Sequence, residues 1–246
     1  MAGKKAAGRA VASATGEPGA SGGFRGFGSQ ALPFLMALRE NNERAWFAAN
    51  KAIFLEELDA PFRELVGEVG GLMAAAGLAV APVAKNPVYR IYRDVRFSKD
   101  KRPYKVHLGA GFHREGDKSR PGLVYLHVEP AGSFVAAGFY QSEPPLLKAI
   151  RGAIAGDAPG FDRLVRSLAD RGIAMDAGEP LTRMPKGFEG LADSTVAGPI
   201  RMRSFLVARP LADDDLERRD LAARVAGFAA DVAPFLKFFW SRIDRD

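Results

Sequence analysis

Apolar positions along the chain follow two different periods. From Leu32 to about Gly77 they recur at helical spacing: Leu32, Leu35, Met36 and Leu38, then Trp46, Phe47 and Ala48, then Phe62, Leu65, Val66, Val69, Leu72 and Met73. Ser29 suits the cap of the first helix, and Asn41-Asn42 ends it and caps the next, which opens with Glu43. Pro61 sits where proline is tolerated, just inside a third helix, and Gly77 ends that helix. From Val83 the period changes to two. Strands are expected over Val88 to Val95, Lys105 to Phe112, Leu123 to Glu129 and Ser133 to Tyr140. Their turns are too short for crossovers, so neighbours run antiparallel as a meander. Helices return at Pro144 to Ile154 and Phe161 to Arg171, a last strand is expected at Ser204 to Ala208, and two final helices at Leu216 to Val232 and Pro234 to Ile243. The pattern predicts an α+β fold: an antiparallel meander of four to five strands flanked by amino-terminal and carboxy-terminal helices.

Composition bounds this picture. The 246 residues are 47% apolar, with no cysteine and a net charge of +6. That excludes disulfides, thiolate metal sites and a cysteine nucleophile. No run of about 18 apolar residues exists, so no membrane span is expected. Residues 1–23 are Ala/Gly/Ser-rich and basic, without the apolar middle of a secretory signal. They are expected to be a disordered basic tail ahead of one α+β domain over 24–246, in a cytoplasmic protein.

Charge changes the picture most at one place. Arg90 to Lys105 carries seven Lys/Arg (90, 93, 96, 99, 101, 102 and 105) against Asp94 and Asp100, a net of +5 out of +6 for the whole chain. Like charges this close repel unless an anion, a carboxylate or water relieves them. Strict alternation puts Arg90, Asp94 and Arg96 on one face of the sheet, with Lys105, His107, Tyr125, His127 and Glu129 beside them. A wet sheet face is usually Lys, Glu, Thr and Ser, whereas this one is rich in Arg, His and Tyr. Arg93 points the other way and needs a bulge or a partner carboxylate; Asp94 reads as a structural clamp for an arginine.

Three chemistries suit such a face. Arg90, Arg93, Arg96, Lys101 and Lys105, with Tyr104 for orientation and Lys186 from the Pro185-Lys186-Gly187-Phe188 turn, would bind an anionic small molecule or nucleic acid. His107 or His127, oriented by Glu129 or Asp94, would serve as an acid–base group with arginines as electrostatic stabilisers. His107, His127, Glu129 and Asp94 also offer N/O ligands, but arginine neighbours oppose a cation, so no metal and no cofactor are expected. A fourth reading is architectural: the arginines and carboxylates brace sheet to helices.

The run Arg90-x-x-Arg93-Asp94-x-Arg96-Phe97-x-x-Asp100-Lys101-x-x-Tyr104 resembles the signature of the bacterial and fungal family known as domain of unknown function 2461. Asn41-Asn42 through Trp46-Phe47 to Asn50-Lys51, Tyr104-Lys105-x-His107 and Pro185-Lys186-Gly187 are similar to the same family, over about residues 27 to 243. The resemblance implies a site at the Arg90–Lys105 hallmark and leaves its chemistry open.

Overall fold

A computed structural model describes residues 23–244, apart from 177 and 179. The expected disordered tail, Gly23 apart, lies outside the described residues. The architecture is α+β, as the periodicity predicts. Helices α1 (Ala31–Glu40), α2 (Arg44–Ala49), α3 (Lys51–Ile53) and α4 (Ala60–Ala75) precede the main strands. Strands β1 (Val80–Pro82), β2 (Leu108–Arg114), β3 (Leu123–Val128) and β4 (Phe134–Phe139) follow. Then come α5 (Pro144–Gly156), α6 (Ala158–Ala169), β5 (Ala174–Met175), α7 (Ala197–Arg201), β6 (Phe205–Pro210), α8 (Asp213–Leu216) and α9 (Leu221–Ile243).

Prolines misled the helix boundaries twice, in each case because the chain absorbs them. Between α3 and α4 the residues Phe54–Asp59 form a π-helical turn, and the Ala60 N–H donates to the Leu55 carbonyl. The wider turn accommodates Pro61, which has no N–H and would crowd the preceding carbonyls of an α-helix. The helix expected to start afresh at Pro61 is therefore continuous from Lys51. Likewise α9 is one helix with Pro234 inside it, not two. Phe235, Leu236, Phe239 and Trp240 continue the buried stripe of Val225, Phe228 and Val232. Each buried large side chain contributes about 1.5–3 kcal/mol, and together these exceed the ~3 kcal/mol cost of the proline.

The six strands form one antiparallel sheet in the order β1-β2-β3-β4-β6-β5, one or two more than expected. The predicted strand over Val88 to Val95 is absent. In its place β1 pairs with β2, and the chain then meets the sheet at one isolated bridge, Val88 to Ala110, while a second bridge, Tyr92 to Tyr104, lies within the loop itself. Pro82 and Pro87 cannot donate to a ladder, and Asn86 takes a left-handed turn at φ 55°. Past these, residues 91–93 fold back on 103–105: the Arg93 N–H donates to Pro103 O and the Lys105 N–H to Ile91 O, both at 2.8 Å.

In β2, β3, β4 and β6 the alternation sorts the sides cleanly. Leu108, Ala110, Phe112, Val124, Leu126, Val128, Val135, Ala137, Phe139, Phe205 and Val207 are buried in one hydrophobic core with α4, α5 and α9. The opposite side carries His107, Gly109, Gly111 and His113 from β2 and its lead-in, and Tyr125, His127 and Glu129 from β3 and the residue after it. Among the described residues no helix is long and apolar enough to cross a membrane.

Asn42, between α1 and α2, ties the hallmark loop to the helices. Its Nδ2 donates to Tyr104 O (3.1 Å) and its Oδ1 accepts the Tyr104 N–H (3.0 Å) in a buried setting. It thus acts as a strand partner and not as the helix cap that its position in the chain suggests. Asn42→Ala strands a buried backbone donor and acceptor and is expected to cost about 2–3 kcal/mol, read as a lower urea midpoint. Asn41, whose Nδ2 reaches only the local Ala37 carbonyl, is the control: Asn41→Ala should stay within about 0.5 kcal/mol.

Candidate functional site

On the side of the sheet away from the helices lies a cavity of about 590 Å³. Its lining includes Phe134, Ala136 and Gly138 of β4 and Leu206 and Ala208 of β6, with Tyr89, His107, Tyr125, His127, Tyr140 and Asp176 around them. Small residues make the hollow: Ala136, Gly138 and Ala208 leave space where larger side chains would fill it. Glycine at 109 serves a neighbour instead, since a Cβ there would lie 2.5 Å from the Tyr125 hydroxyl. A concave, mostly apolar cavity with a few converging polar groups is the usual form of a small-molecule site.

Those polar groups form a chain. The register pairs Gly109 with His127 and Gly111 with Tyr125 across β2 and β3. Period two then places Tyr125, His127 and Glu129 in one row. The Tyr125 hydroxyl lies 3.1 Å from His127 Nδ1, and His127 Nε2 lies 3.0 Å from Glu129 Oε2. The other Glu129 oxygen accepts from Arg39 Nη2 at 3.0 Å. A carboxylate only accepts, so in a neutral His127 ring the proton sits on Nε2 and is donated to Glu129. Nδ1 is then an acceptor, and the Tyr125 O–H donates to it. Burial, with Tyr89 and Glu129 adding to it, pushes the Tyr125 phenol up to about 12, so it holds its proton at neutral pH. The imidazole is fixed between Phe134, stacked at 4.7 Å and 14°, and His107 at 4.4 Å. Ser133 holds the turn below: its Oγ accepts the Glu129 N–H and donates to the Glu129 carbonyl.

His107 is half-buried. Burial first, then the neighbouring His127 and Lys105, lower its pKa to about 4. It is neutral in the folded chain at neutral pH. As pH falls below 6.5 the unfolded chain takes up this proton before the folded one, so stability drops as pH moves from about 6.5 towards 4. After allowance for solvent screening, the loss is expected to be about 1–2 kcal/mol. Urea midpoints of the wild type and His107→Asn, compared across that window, should differ in slope by this amount.

His107, His127 and Glu129 also offer ligand atoms within 4.8 Å of one another, the donor set of an N/O metal site. Here both His127 nitrogens are committed, Glu129 is shared with Arg39, and Lys105 stands near His107. These surroundings suit proton transfer better than a dication.

Of the residues read from the sequence, His107, Tyr125, His127 and Glu129 come together. The hallmark arginines do not join them, because the expected strand is a loop. Asp100 accepts from Arg93 Nη1 (2.7 Å) and Arg102 Nη2 (2.8 Å), while Asp94 accepts from Arg96 Nη2 (2.7 Å) and Nε (3.0 Å). These partners hold both carboxyls below the usual carboxylate range. The Arg93 partner thus comes from its own loop, not from a helix. Lys101 donates to the Val95 carbonyl at 3.0 Å. Tyr104 is buried and stacks on Phe47 at 4.2 Å. Lys186 is exposed in its turn, where the Phe188 N–H donates to Pro185 O. Arg90, Lys99 and Lys105 make no ion pair among the described residues. Lys105 lies 5.7 Å from the centre of the Tyr89 ring, beside the cavity.

Tyr89, His113, Phe134, Tyr140, Asp176 and Arg39 belong to the site or its margin and escaped the sequence reading. His113 was within reach: it shares the parity of His107, but ending the strand at Phe112 hid it.

The fold and cavity define an α+β protein with a histidine- and tyrosine-bearing pocket on the open side of an antiparallel sheet. The family model described as "Conserved hypothetical protein (DUF2461)" matches residues 30–238, and the chain belongs to that family. No curated protein and no solved structure matches it.

Proposed function

We propose that this protein is an enzyme that moves a proton on a small molecule held in the cavity, with Tyr125 as the group that meets the substrate. The observation that carries the proposal is the unbroken Tyr125–His127–Glu129 chain ending at the cavity wall. A phenol with a pKa near 12 is a poor base on its own. Coupled to an imidazole it becomes useful. The Tyr125 oxygen takes a proton from a bound C–H, N–H or O–H group while its own proton passes to His127 Nδ1. The substrate gains a negative charge, His127 becomes imidazolium, and Glu129, steadied by Arg39, offsets that charge. Returning the proton at another position, or after a bond has broken, reverses the relay.

The anion-binding reading narrows to Arg90 and Lys105, which make no ion pair among the described residues; of the two, Lys105 lies beside Tyr89 at the cavity. Arg93, Arg96, Lys101 and Tyr104 are engaged within the protein, which supports an architectural role for the rest of the hallmark loop.

The test is conversion. Purified protein is incubated with a cell metabolite extract and the mixture compared by mass spectrometry with a Tyr125→Phe control. A compound consumed by the wild type and untouched by Tyr125→Phe supports the proposal; equal consumption by both overturns it.

A further inference from the structure

Beside the proton relay, β2 carries a second polar group that the relay does not use. His113 is 7% exposed, and its Nε2 is the buried side-chain atom left without a hydrogen-bond partner among the described residues. It stands over Gly111. A Cβ added there would lie 2.8 Å from His113 Nε2, 2.7 Å from the Tyr89 hydroxyl and 3.3 Å from Leu123 Cδ1. Tyr89 and Leu123 both line the cavity, so the imidazole and the phenol converge on one spot at its margin. Two ammonium groups attend the same ring: Lys118 Nζ lies 5.6 Å and Lys105 Nζ 5.7 Å from the Tyr89 centre. Neither makes an ion pair among the described residues. The adjacent carboxylate, Asp117, is occupied with the Ser119 N–H (2.9 Å) and hydroxyl (2.8 Å).

Donors are thus gathered around Tyr89: its own phenol O–H and an imidazole N–H in the Nε2–H tautomer over Gly111, and two ammonium groups near its ring. A buried polar group left unpaired is costly, and a ligand atom that completes it gains accordingly. Donors of this number and charge match an oxyanion. We infer that Tyr89, His113, Lys105 and Lys118 form an oxyanion subsite that holds a carboxylate or phosphate group of the molecule whose reacting part meets Tyr125. The inference rests on the cavity being the substrate site. It gives the substrate class as a small organic acid or phosphate ester, and it separates the anchoring end from the reacting end.

The three histidines of the chain make the test direct. Imidazole resonances of ¹⁵N-histidine-labelled protein are followed during titration with inorganic phosphate and, separately, with acetate. The expected result is a saturable shift of His113 with at least one of them, weakened about tenfold in Lys118→Ala and in Tyr89→Phe, as loss of one charge-assisted contact implies. Which anion binds more tightly tells phosphate esters from carboxylic acids. A His113 signal that neither anion moves, or that moves equally in both variants, overturns the subsite. That outcome leaves the proton relay standing on its own test with Tyr125→Phe.

Discussion

His127→Asn is expected to lower kcat for the compound that the wild type converts by about 10²–10⁴-fold, the usual contribution of a positioned acid–base group. KM should change little, because His127 is covered by Phe134 and His107 and offers the substrate no direct hydrogen-bonding edge; both of its nitrogens face the protein. Tyr125→Phe should match it in size while removing a single oxygen. The pair is informative together. His127 is buried, so its replacement lowers the melting temperature as well as the rate. Tyr125→Phe keeps the ring and its packing against Phe134, at 6.0 Å, and loses one hydrogen bond, so it should melt closer to the wild type than His127→Asn does. A role confined to packing would make the loss of rate follow the loss of stability across the two variants. A proton relay makes both slow regardless of how well they fold. Glu129→Gln should fall between, since glutamine still accepts a hydrogen bond but cannot balance an imidazolium.

Gly138→Ala is expected to remove a large part or all of the stability of the fold. Gly138 sits in β4 with φ 135°, a conformation closed to residues with a Cβ, and the added methyl would overlap the Phe205 backbone carbonyl of β6. That oxygen cannot retreat without opening the β4–β6 ladder, in which Gly138 pairs with Leu206. Strain and clash together exceed about 4 kcal/mol, against a total stability of about 5–15 kcal/mol for a domain. The expected readout is insoluble protein or loss of the cooperative thermal transition. Gly152→Ala on α5 is the contrast: nothing lies within 4 Å of the added methyl, and the change should leave stability equal or raise it by up to about 1 kcal/mol. Gly138 also lines the cavity, so one residue serves both the sheet and the hollow above it.

What the sequence discloses depends on how local the cause is. The alternation of β2 and β3 is local, and it puts His107, Tyr125, His127 and Glu129 on one face. The charge of the hallmark loop is equally visible, but its relief is not. Net charge cannot say that Asp100 serves two arginines, at 93 and 102, or that Asp94 closes on Arg96, two residues away. The strand expected over Val88 to Val95 shrinks to the Val88–Ala110 bridge: Asn86 turns left-handed and Pro87 offers no N–H just ahead of it, and residues 91–93 then pair with 103–105 of their own loop. The π-turn before Pro61 and the uninterrupted α9 depend on burial that only tertiary packing supplies. The cavity is least legible of all. It arises where Ala136 and Gly138 of β4 lie beside Ala208 of β6, and no pattern within a single strand states that register.

The central claim is that Tyr125 and Glu129 fix the proton of His127, and it can be measured without any substrate. Long-range ¹H–¹⁵N spectra of the three histidines, assigned by single substitutions, report which ring nitrogen is protonated. The account predicts His127 protonated on Nε2 with an unprotonated, hydrogen-bonded Nδ1 at neutral pH, and a shift of Nδ1 alone on Tyr125→Phe. A His127 protonated on Nδ1, or one indifferent to the loss of the Tyr125 hydroxyl, would contradict it.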